Sequence, residues 1–178
     1  GHLLVAGDHS QLEVRTNAAL SKDPALVEIM KADPASPEGD LPAQNMRVIF
    51  GIPFSEQHKH KGIRVAAKKY LFTLLYGGAE LQVIRGLEEE ALKDPSLGVV
   101  VPSRQEVRRN IEAIKDTYKG YFREYVPAVI QRAREWGNIA YTLYGRPRYI
   151  SKLSSPIKEE REAGEREVVS QGGQGTAA

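Results

Sequence analysis

Hydrophobic residues recur at helical spacing along most of the chain, and the pattern is clearest between residues 55 and 78. Apolar positions there follow one another at intervals of three, four and one, which is typical of the buried face of a helix. They predict a helical face of about four turns that Gly77 and Gly78 end. The apolar positions are Ile63, Ala67, Tyr70, Leu71, Leu74 and Leu75.

Start and stop signals predict further helices on both sides of this one. Asp23 followed by Pro24 is typical of an N-cap and a first helical turn, and Gly51 and Pro53 are typical stop signals. A break is expected near Gly120, and the glycine-rich tail has no fold signal of its own. The predicted helices cover residues 25–32, 43–50, 79–93, 104–121, 123–136 and 158–169.

Two stretches have the character of strands. Residues 3–7 form a short apolar run that stops at Asp8, and residues 139–150 place aromatic residues around a Gly-Arg-Pro-Arg turn, as in a hairpin or two short strands. An acid at a strand end is often a site residue, and it is also a common turn former or N-cap. The predicted fold class is mainly α with a small β component.

The amino-acid composition excludes several kinds of protein and of functional site. The 178 residues are 41% hydrophobic, which is enough for one buried core. The net charge of +2 excludes a uniformly basic coat, so any nucleic-acid contact has to come from a local cluster. The absence of cysteine excludes disulfides, thiol nucleophiles and cysteine zinc sites. No apolar run approaches the roughly 20 residues of a membrane span, so we expect a soluble, cytoplasmic protein without a membrane partner.

Arg64, Lys68, Phe72 and Tyr76 lie four residues apart on the helix predicted over residues 55–78. Each step of four residues turns about 40° around an ideal helix, so the four side chains form one slowly turning ridge. Two cations followed by two aromatic rings could hold a polyphosphate at one end and a sugar and base at the other. An ordinary helix face with solvated cations and packed rings would have the same spacing. The spacing alone therefore does not decide between a nucleotide-binding ridge and a helix face without a ligand.

Four segments in order resemble motifs of the DNA polymerase I family, also called family A. Residues 8–24, beginning Asp-His-Ser-Gln-Leu-Glu, resemble its first palm motif, and residues 64–77 resemble its fingers helix. Residues 133–150 look like the return into the palm, and residues 174–178 look like the start of a later palm helix.

The resemblance covers nearly the whole chain and implies a division into three parts. Residues 1–22 would be a palm segment with the first metal-binding motif. Residues 23–138 would be a helical fingers subdomain, and residues 139–178 the return into the palm.

The resemblance also implies catalytic and metal-binding roles. Asp8 would be the catalytic acid of this chain and, with the backbone of His9, would hold two Mg²⁺ ions together with a second aspartate. That second aspartate has no counterpart among these 178 residues. We therefore expect the chain alone to be inactive and to need the thumb and the rest of the palm as partners.

The remaining implied roles concern nucleotide and DNA. Arg64 and Lys68 would bind the triphosphate of the incoming deoxynucleotide, Glu13 and Phe72 would reject a 2′-hydroxyl, and Gln11 would lie beside the nucleotide. The residues expected at the primer-template DNA are Tyr76 at the templating base, Gln174 in the minor groove and Arg148 at the backbone.

The implied function is part of a DNA-directed DNA polymerase that binds deoxynucleotide and template. Several positions depart from the family pattern, among them His9 for a usual Tyr, and Leu71 and Thr73 for Asn and Gly. Asp40-Leu41-Pro42 stands where many members carry Asp-Ile-His. Two alternatives remain open: a non-catalytic helical nucleic-acid-binding or accessory module, and part of a single-subunit RNA polymerase.

Overall fold

The computed structural model describes residues 11–177, and side chains as far as Thr176. The strand predicted over residues 3–7, Asp8 and His9 lie outside these residues. The described part contains eight α-helices and one two-stranded sheet, so the predicted fold class, mainly α with a small β component, is confirmed. The helices are α1 (Leu12–Ser21), α2 (Pro24–Lys31), α3 (Leu41–Phe50), α4 (Lys61–Leu75), α5 (Glu80–Lys93), α6 (Arg104–Thr117), α7 (Val126–Glu135) and α8 (Lys158–Ala177).

The sheet is the predicted hairpin. Strands β1 (Ile139–Tyr141) and β2 (Pro147–Tyr149) pair antiparallel, with Ala140 opposite Arg148. Ala140 belongs to a small second core with Ala133 of α7, Val168 of α8 and Leu153 of the short 3₁₀-helix Ser151–Ser154. The hairpin is therefore packed onto the helices on one side and exposed on the other.

Buried tyrosines join the helices of the main core. The Tyr70 hydroxyl of α4 accepts a hydrogen bond from the Asn110 amide of α6 at 3.2 Å. The Tyr118 hydroxyl donates to the side-chain oxygen of Asn45 in α3 at 3.0 Å, and the Tyr121 hydroxyl donates to the Leu75 carbonyl at 3.1 Å. Burial raises the pKa of all three phenols, because the charged form loses its hydration. Each ring therefore fills apolar space while its hydroxyl keeps a hydrogen-bond partner.

The predicted cap at Asp23 is confirmed, and the same carboxylate has a second contact. Asp23 is 1% exposed and accepts hydrogen bonds from the backbone N–H of Leu26 at 2.9 Å and of Tyr121 at 3.1 Å. A side chain at Gly120 would come within 2.9 Å of the Asp23 carboxylate. Asp23 therefore fixes the start of α2 against a segment almost a hundred residues later in the chain.

The helices predicted over residues 104–121 and 123–136 have the wrong bounds where they meet, and the contact with Asp23 lies at this point. Helix α6 ends at Thr117, and a π-helix over Gly120–Tyr125 leads directly into α7. π-helical turns are rare and occur mostly as single turns within longer helices. Here the backbone N–H of Tyr121 bonds to Asp23, a tertiary contact that periodicity does not reveal.

The helix predicted from residue 55 begins later than expected. Residues Phe54–Lys59 form a 3₁₀-helix, and α4 starts only at Lys61 because His60 has a non-helical backbone. The amide of Gln57 donates to the carbonyls of Ala43 at 2.8 Å and Ile52 at 3.3 Å, which holds this turn against α3. The C-terminal end agrees with the prediction, since Gly77 follows α4 in the left-handed region with φ 76°.

Two further differences concern the ends of the chain. Helix α1 has no counterpart among the predicted helices, because its buried face mixes the apolar Val14 and Ala18 with the polar Asn17. Helix α8 begins at Lys158 and runs to Ala177, so the expectation of a helix that begins near Gln174 is wrong, and the glycine-rich tail, which has no fold signal of its own in the sequence, is helical as far as Ala177. A side chain at Gly173 would lie 2.6 Å from the Asn17 oxygen, so the glycine allows α8 to approach α1 closely.

Among residues 11–177, no helix is both long enough and apolar enough to cross a membrane.

Replacing Asp23 by Ala should lower the free energy of unfolding by about 2 kcal/mol, because α2 loses its cap and the buried Tyr121 N–H loses one of its two acceptors, the other being the Tyr118 carbonyl. Urea unfolding followed by circular dichroism measures this change. Asp33→Ala removes an exposed loop carboxylate and should change stability by less than about 0.5 kcal/mol. Equal effects of the two substitutions would contradict a tertiary role for Asp23.

Candidate functional site

The candidate site follows the solvent-facing side of α4. Arg64 and Lys68 are exposed, and Phe72 and Tyr76 are half-buried. The opposite side of the helix faces the main core through Ala67, Tyr70, Leu71, Leu74 and Leu75. The ridge predicted from the spacing is therefore accessible to a ligand, and its two cations are not part of the packed interior.

Arg64 at the start of the ridge is paired with an acid. Its guanidinium contacts the Asp40 carboxylate, which is less exposed than the guanidinium itself. Asp40 is the N-cap residue of α3, yet its side chain makes no capping hydrogen bond. Its carboxylate is therefore directed to Arg64 and away from the backbone of its own helix.

Lys68 differs from Arg64 in its surroundings. It forms no salt bridge within the described part of the chain, and its ammonium lies 5.9 Å from the centre of the Phe72 ring. The Phe72 ring is in turn 6.3 Å from the Tyr76 ring, at an interplanar angle of 38°. An ammonium and two rings therefore continue along one line of the helix, within the distance at which a cation is attracted to an aromatic face.

Tyr76 ends this line, where three parts of the chain meet. Its hydroxyl donates a hydrogen bond to the Glu13 carboxylate of α1, and the side chain of Gln174 in α8 also hydrogen-bonds to it. Burial is the largest cause that raises the pKa of Tyr76 to about 12, and the Glu13 carboxylate adds to it. The phenol is therefore neutral at physiological pH and holds Glu13 and Gln174 at the end of the ridge.

The approach of α8 makes this meeting possible. Gly173 leaves room for Asn17, and a side chain at Gly77 would come within 2.9 Å of Arg166 of α8. The Gln174 amide oxygen is further held by the Ser170 hydroxyl, which donates to it at 2.6 Å. Glycines on both sides of the contact therefore let the end of α8 approach α1 and the turn after α4.

Two other predicted site residues lie apart from the ridge. Gln11 caps α1 with a left-handed backbone, and its side-chain oxygen is buried without a hydrogen-bond partner among the described residues. Arg148 lies on β2, where its guanidinium bonds to Glu167 of α8 at 2.9 Å. The tertiary structure thus joins Glu13, Tyr76 and Gln174, whereas Arg148 is paired with Glu167.

The residues from 11 to 177 contain no cluster of three or more His, Asp or Glu side chains that could hold a metal. Asp8 and His9, the residues implied as metal ligands, precede the described range.

Two contacts of this site, Arg64 with Asp40 and Tyr76 with Glu13, are not predicted by the sequence. Asp40 stands out in the sequence only as part of a departure from a motif, and nothing in the spacing indicates that it pairs with Arg64, 24 residues later. The contact between Glu13 and Tyr76 joins residues 63 positions apart. Both contacts depend on helix packing, which local periodicity does not encode.

Comparison with known proteins gives a consistent result. The family model described as DNA polymerase family A matches residues 1–178. DNA polymerase I of Thermus aquaticus is 31% identical over 100% of this chain and 19% of its own length. DNA polymerase theta of Drosophila melanogaster is 29% identical over 98% of this chain and 7% of its own length.

A solved structure has a similar fold. It is the POL domain of Pol1 from M. smegmatis in complex with DNA primer-template and dNTP. The likeness has a TM-score of 0.73 at 27% identity and covers 95% of this chain and 26% of that one. The chain spans about a fifth of the length of the bacterial relative named above.

Replacing Glu13 by Gln should lower the pKa of Tyr76 from about 12 while leaving it above the usual value near 10, because burial remains. A ¹³C NMR titration of labelled tyrosine measures this pKa, with Tyr76→Phe as the assignment control. Because the folded-state pKa is the higher one, the stabilisation by Tyr76 is complete below about pH 10 and is lost between about pH 10 and 12. An unchanged pKa in Glu13→Gln would contradict the contact, and Glu38→Gln in the exposed loop is the matched control.

Proposed function

The chain belongs to DNA polymerase family A, and on that premise we propose that it forms the fingers of a DNA-directed DNA polymerase with adjoining palm segments. The observation that carries the proposal is the ridge of α4, in which two exposed cations lead to two rings and to Glu13. The proposed division is a palm segment over residues 1–22, fingers over 23–138 and a return into the palm over 139–178. The partners are deoxynucleoside triphosphate, primer-template DNA and the remainder of the polymerase.

Arg64 and Lys68 are the proposed triphosphate contacts. Both cations are exposed on the same side of α4, one turn apart, which suits two neighbouring phosphates. As the bond to the leaving pyrophosphate breaks, negative charge grows on its oxygens, and fixed cations stabilise that charge more than they stabilise bound nucleotide. Loss of either cation should therefore reduce the rate as well as the affinity.

Glu13 and Phe72 are proposed to exclude ribonucleotides. Phe72 and Tyr76 are neighbouring rings, and Glu13 is held at the Tyr76 hydroxyl. A ring and a carboxylate kept in place by other residues fill space where a 2′-hydroxyl would have to enter. Gln11, one residue before α1, is proposed to lie beside the same nucleotide.

Tyr76, Gln174 and Arg148 are the proposed DNA contacts. Tyr76 and Gln174 share a hydrogen bond, so a movement of the tyrosine towards the templating base would also release the glutamine. The amide of Gln174 is exposed and carries the hydrogen-bonding groups needed to read minor-groove acceptors. Arg148 is half-exposed on β2 and suits a backbone phosphate.

Mg²⁺ is the proposed cofactor, with Asp8 and the backbone of His9 as its ligands in this chain. When bound, Mg²⁺ supplies charge neutralisation at the phosphates and activation of the primer hydroxyl. A single carboxylate fills little of an octahedral coordination sphere, so this chain needs ligands from the remainder of the polymerase. The roles proposed for α4 do not depend on how those ligands are arranged.

Replacing Lys68 by Ala should weaken binding of deoxynucleoside triphosphate to the chain about tenfold, because a charge-assisted contact to phosphate is lost. A titration followed by ¹H–¹⁵N NMR shifts of α4 measures the affinity in the presence of Mg²⁺. Arg109→Ala removes an exposed cation from α6 and should leave the affinity unchanged. Equal weakening by both substitutions would contradict a specific site on α4 and indicate only a general effect of charge.

Replacing Asp40 by Asn should strengthen nucleotide binding several-fold, because Arg64 then no longer has to exchange a carboxylate for a phosphate. The same titration measures the change, and it should disappear when Arg64 is also replaced by Ala. A gain that persists without Arg64 would show that Asp40 acts by repelling the nucleotide directly, and would contradict the proposed exchange at the ion pair.

A further inference from the structure

Exposed aromatic residues are concentrated in one short stretch of the chain. Trp136 is 51% exposed, Tyr141 42%, Tyr144 76% and Tyr149 66%, and all four lie on the hairpin or at the end of α7. Single exposed apolar residues are normal on a protein surface, but a contiguous group of large rings marks a binding surface. We call Trp136, Tyr141, Leu143 and Tyr144 the hairpin surface.

The geometry of the hairpin surface suits a flat ligand. The rings of Trp136 and Tyr141 meet edge to face, with centres 5.3 Å apart and an angle of 84°. A groove of about 490 Å³ is lined by Trp136, Tyr141, Thr142, Leu143 and Gly145. Its volume lies within the range of small-molecule pockets, roughly 300–1,000 Å³, so a planar ring has room beside the exposed aromatic faces.

The hairpin is held rigidly below these rings. Ala140 is buried, so the neighbouring Tyr141 points to the opposite, exposed side of the strand. The Leu143 N–H donates to the Thr176 hydroxyl of α8 at 2.9 Å, and the Arg146 guanidinium donates to the Gly175 carbonyl. A surface that is already ordered loses little conformational entropy when a ligand binds.

The charge around the hairpin surface selects the kind of ligand. Residues 132–152 carry five Lys or Arg side chains and one acidic side chain, Glu135. Three of the five cations are paired with Glu165 or Glu167 of α8, which leaves Arg132 and Arg146 without an acidic partner among the described residues. The Arg132 guanidinium lies 5.7 Å from the Trp136 ring and forms no salt bridge in the part of the chain that the structure describes. Cations beside exposed rings are complementary to a ligand that carries both phosphates and flat bases.

We propose that the hairpin surface binds an unpaired nucleic-acid strand, with bases stacked on Trp136 and Tyr141 and phosphates beside Arg132. A duplex does not fit this description, because its bases are already stacked on each other and are closed to a protein ring. The proposal stands on the hairpin and the end of α7, and none of its residues belongs to the ridge of α4. Within the proposed polymerase, the strand held here would be an unpaired stretch of template.

The chain has a single tryptophan, so the fluorescence of Trp136 reports directly on this surface. Titration of the full chain with a short oligothymidylate at low salt should quench that fluorescence, because a base stacks on the indole. Tyr141→Ala should weaken binding about tenfold, since one stacking contact is lost. Leu92→Ala replaces an exposed apolar residue of α5 and should leave binding unchanged.

Three results would overturn the proposal. The first is fluorescence that does not respond to the oligothymidylate. The second is equal quenching by an abasic oligonucleotide of the same length, because that would indicate a phosphate contact without stacking. The third is equal affinity of wild type and Tyr141→Ala. Arg132→Gln provides a second variant should Tyr141→Ala fail to fold, and it should weaken binding and make it less sensitive to salt.

This experiment separates the hairpin surface from the proposed nucleotide site. Lys68→Ala should leave the quenching by oligothymidylate unchanged, and Tyr141→Ala should leave the affinity for deoxynucleoside triphosphate unchanged. A chain that binds the oligonucleotide and no nucleotide would refute the proposed function of α4 and support the hairpin surface. The opposite result would refute the hairpin surface alone.

Discussion

The hydrogen bond from the Tyr76 hydroxyl to the Glu13 carboxylate is the contact on which the arrangement of the candidate site depends. It joins the end of α4 to α1, and the Gln174 side chain of α8 joins the same hydroxyl. Because the phenol is partly buried and neutral, the carboxylate has a strong donor that does not compete with it for charge. Without this contact, the ridge of α4 would end in an isolated ring with no carboxylate beside it.

The core around the site is built on a related principle, in which large side chains are buried with their polar ends satisfied. Tyr70, Tyr118 and Tyr121 each fill apolar space and hydrogen-bond to a different element. Such contacts specify one packing more strongly than apolar rings alone, because a shifted helix would leave a buried hydroxyl unpaired. The side of α4 that faces the core is therefore rigid, while its other side is free to bind a ligand.

The two cations of the ridge, Arg64 and Lys68, have different neighbours. Arg64 is paired with the Asp40 carboxylate, whereas Lys68 lies beside the Phe72 ring and forms no salt bridge within residues 11–177. In the proposed function, only Arg64 would therefore have to exchange a carboxylate for a phosphate. The net interaction of an exposed ion pair is at most about 1 kcal/mol, so the exchange at Arg64 would lower the affinity for phosphate by no more than several-fold. Family membership and a fold like that of the M. smegmatis polymerase domain are the premise for proposing this use of the helix, and the hairpin surface is a second, independently proposed nucleic-acid contact.

Local periodicity and capping chemistry are enough to predict α2, α3, α5, the C-terminal end of α4, the hairpin and the ridge, since each depends on residues within a few turns of one another. The start of α4 is an exception, because the turn before it is held by a contact of Gln57 with α3. The four-residue spacing of the ridge by itself puts its side chains on one face of α4. Only the tertiary structure shows the rest: the backbone after α6 is π-helical where Asp23 contacts the Tyr121 N–H, and α8 lies close to α1 where Gly173 leaves room for Asn17. It also paired Arg64 with Asp40 and Tyr76 with Glu13, because such contacts arise from helices packed together across long stretches of sequence, which no local pattern records.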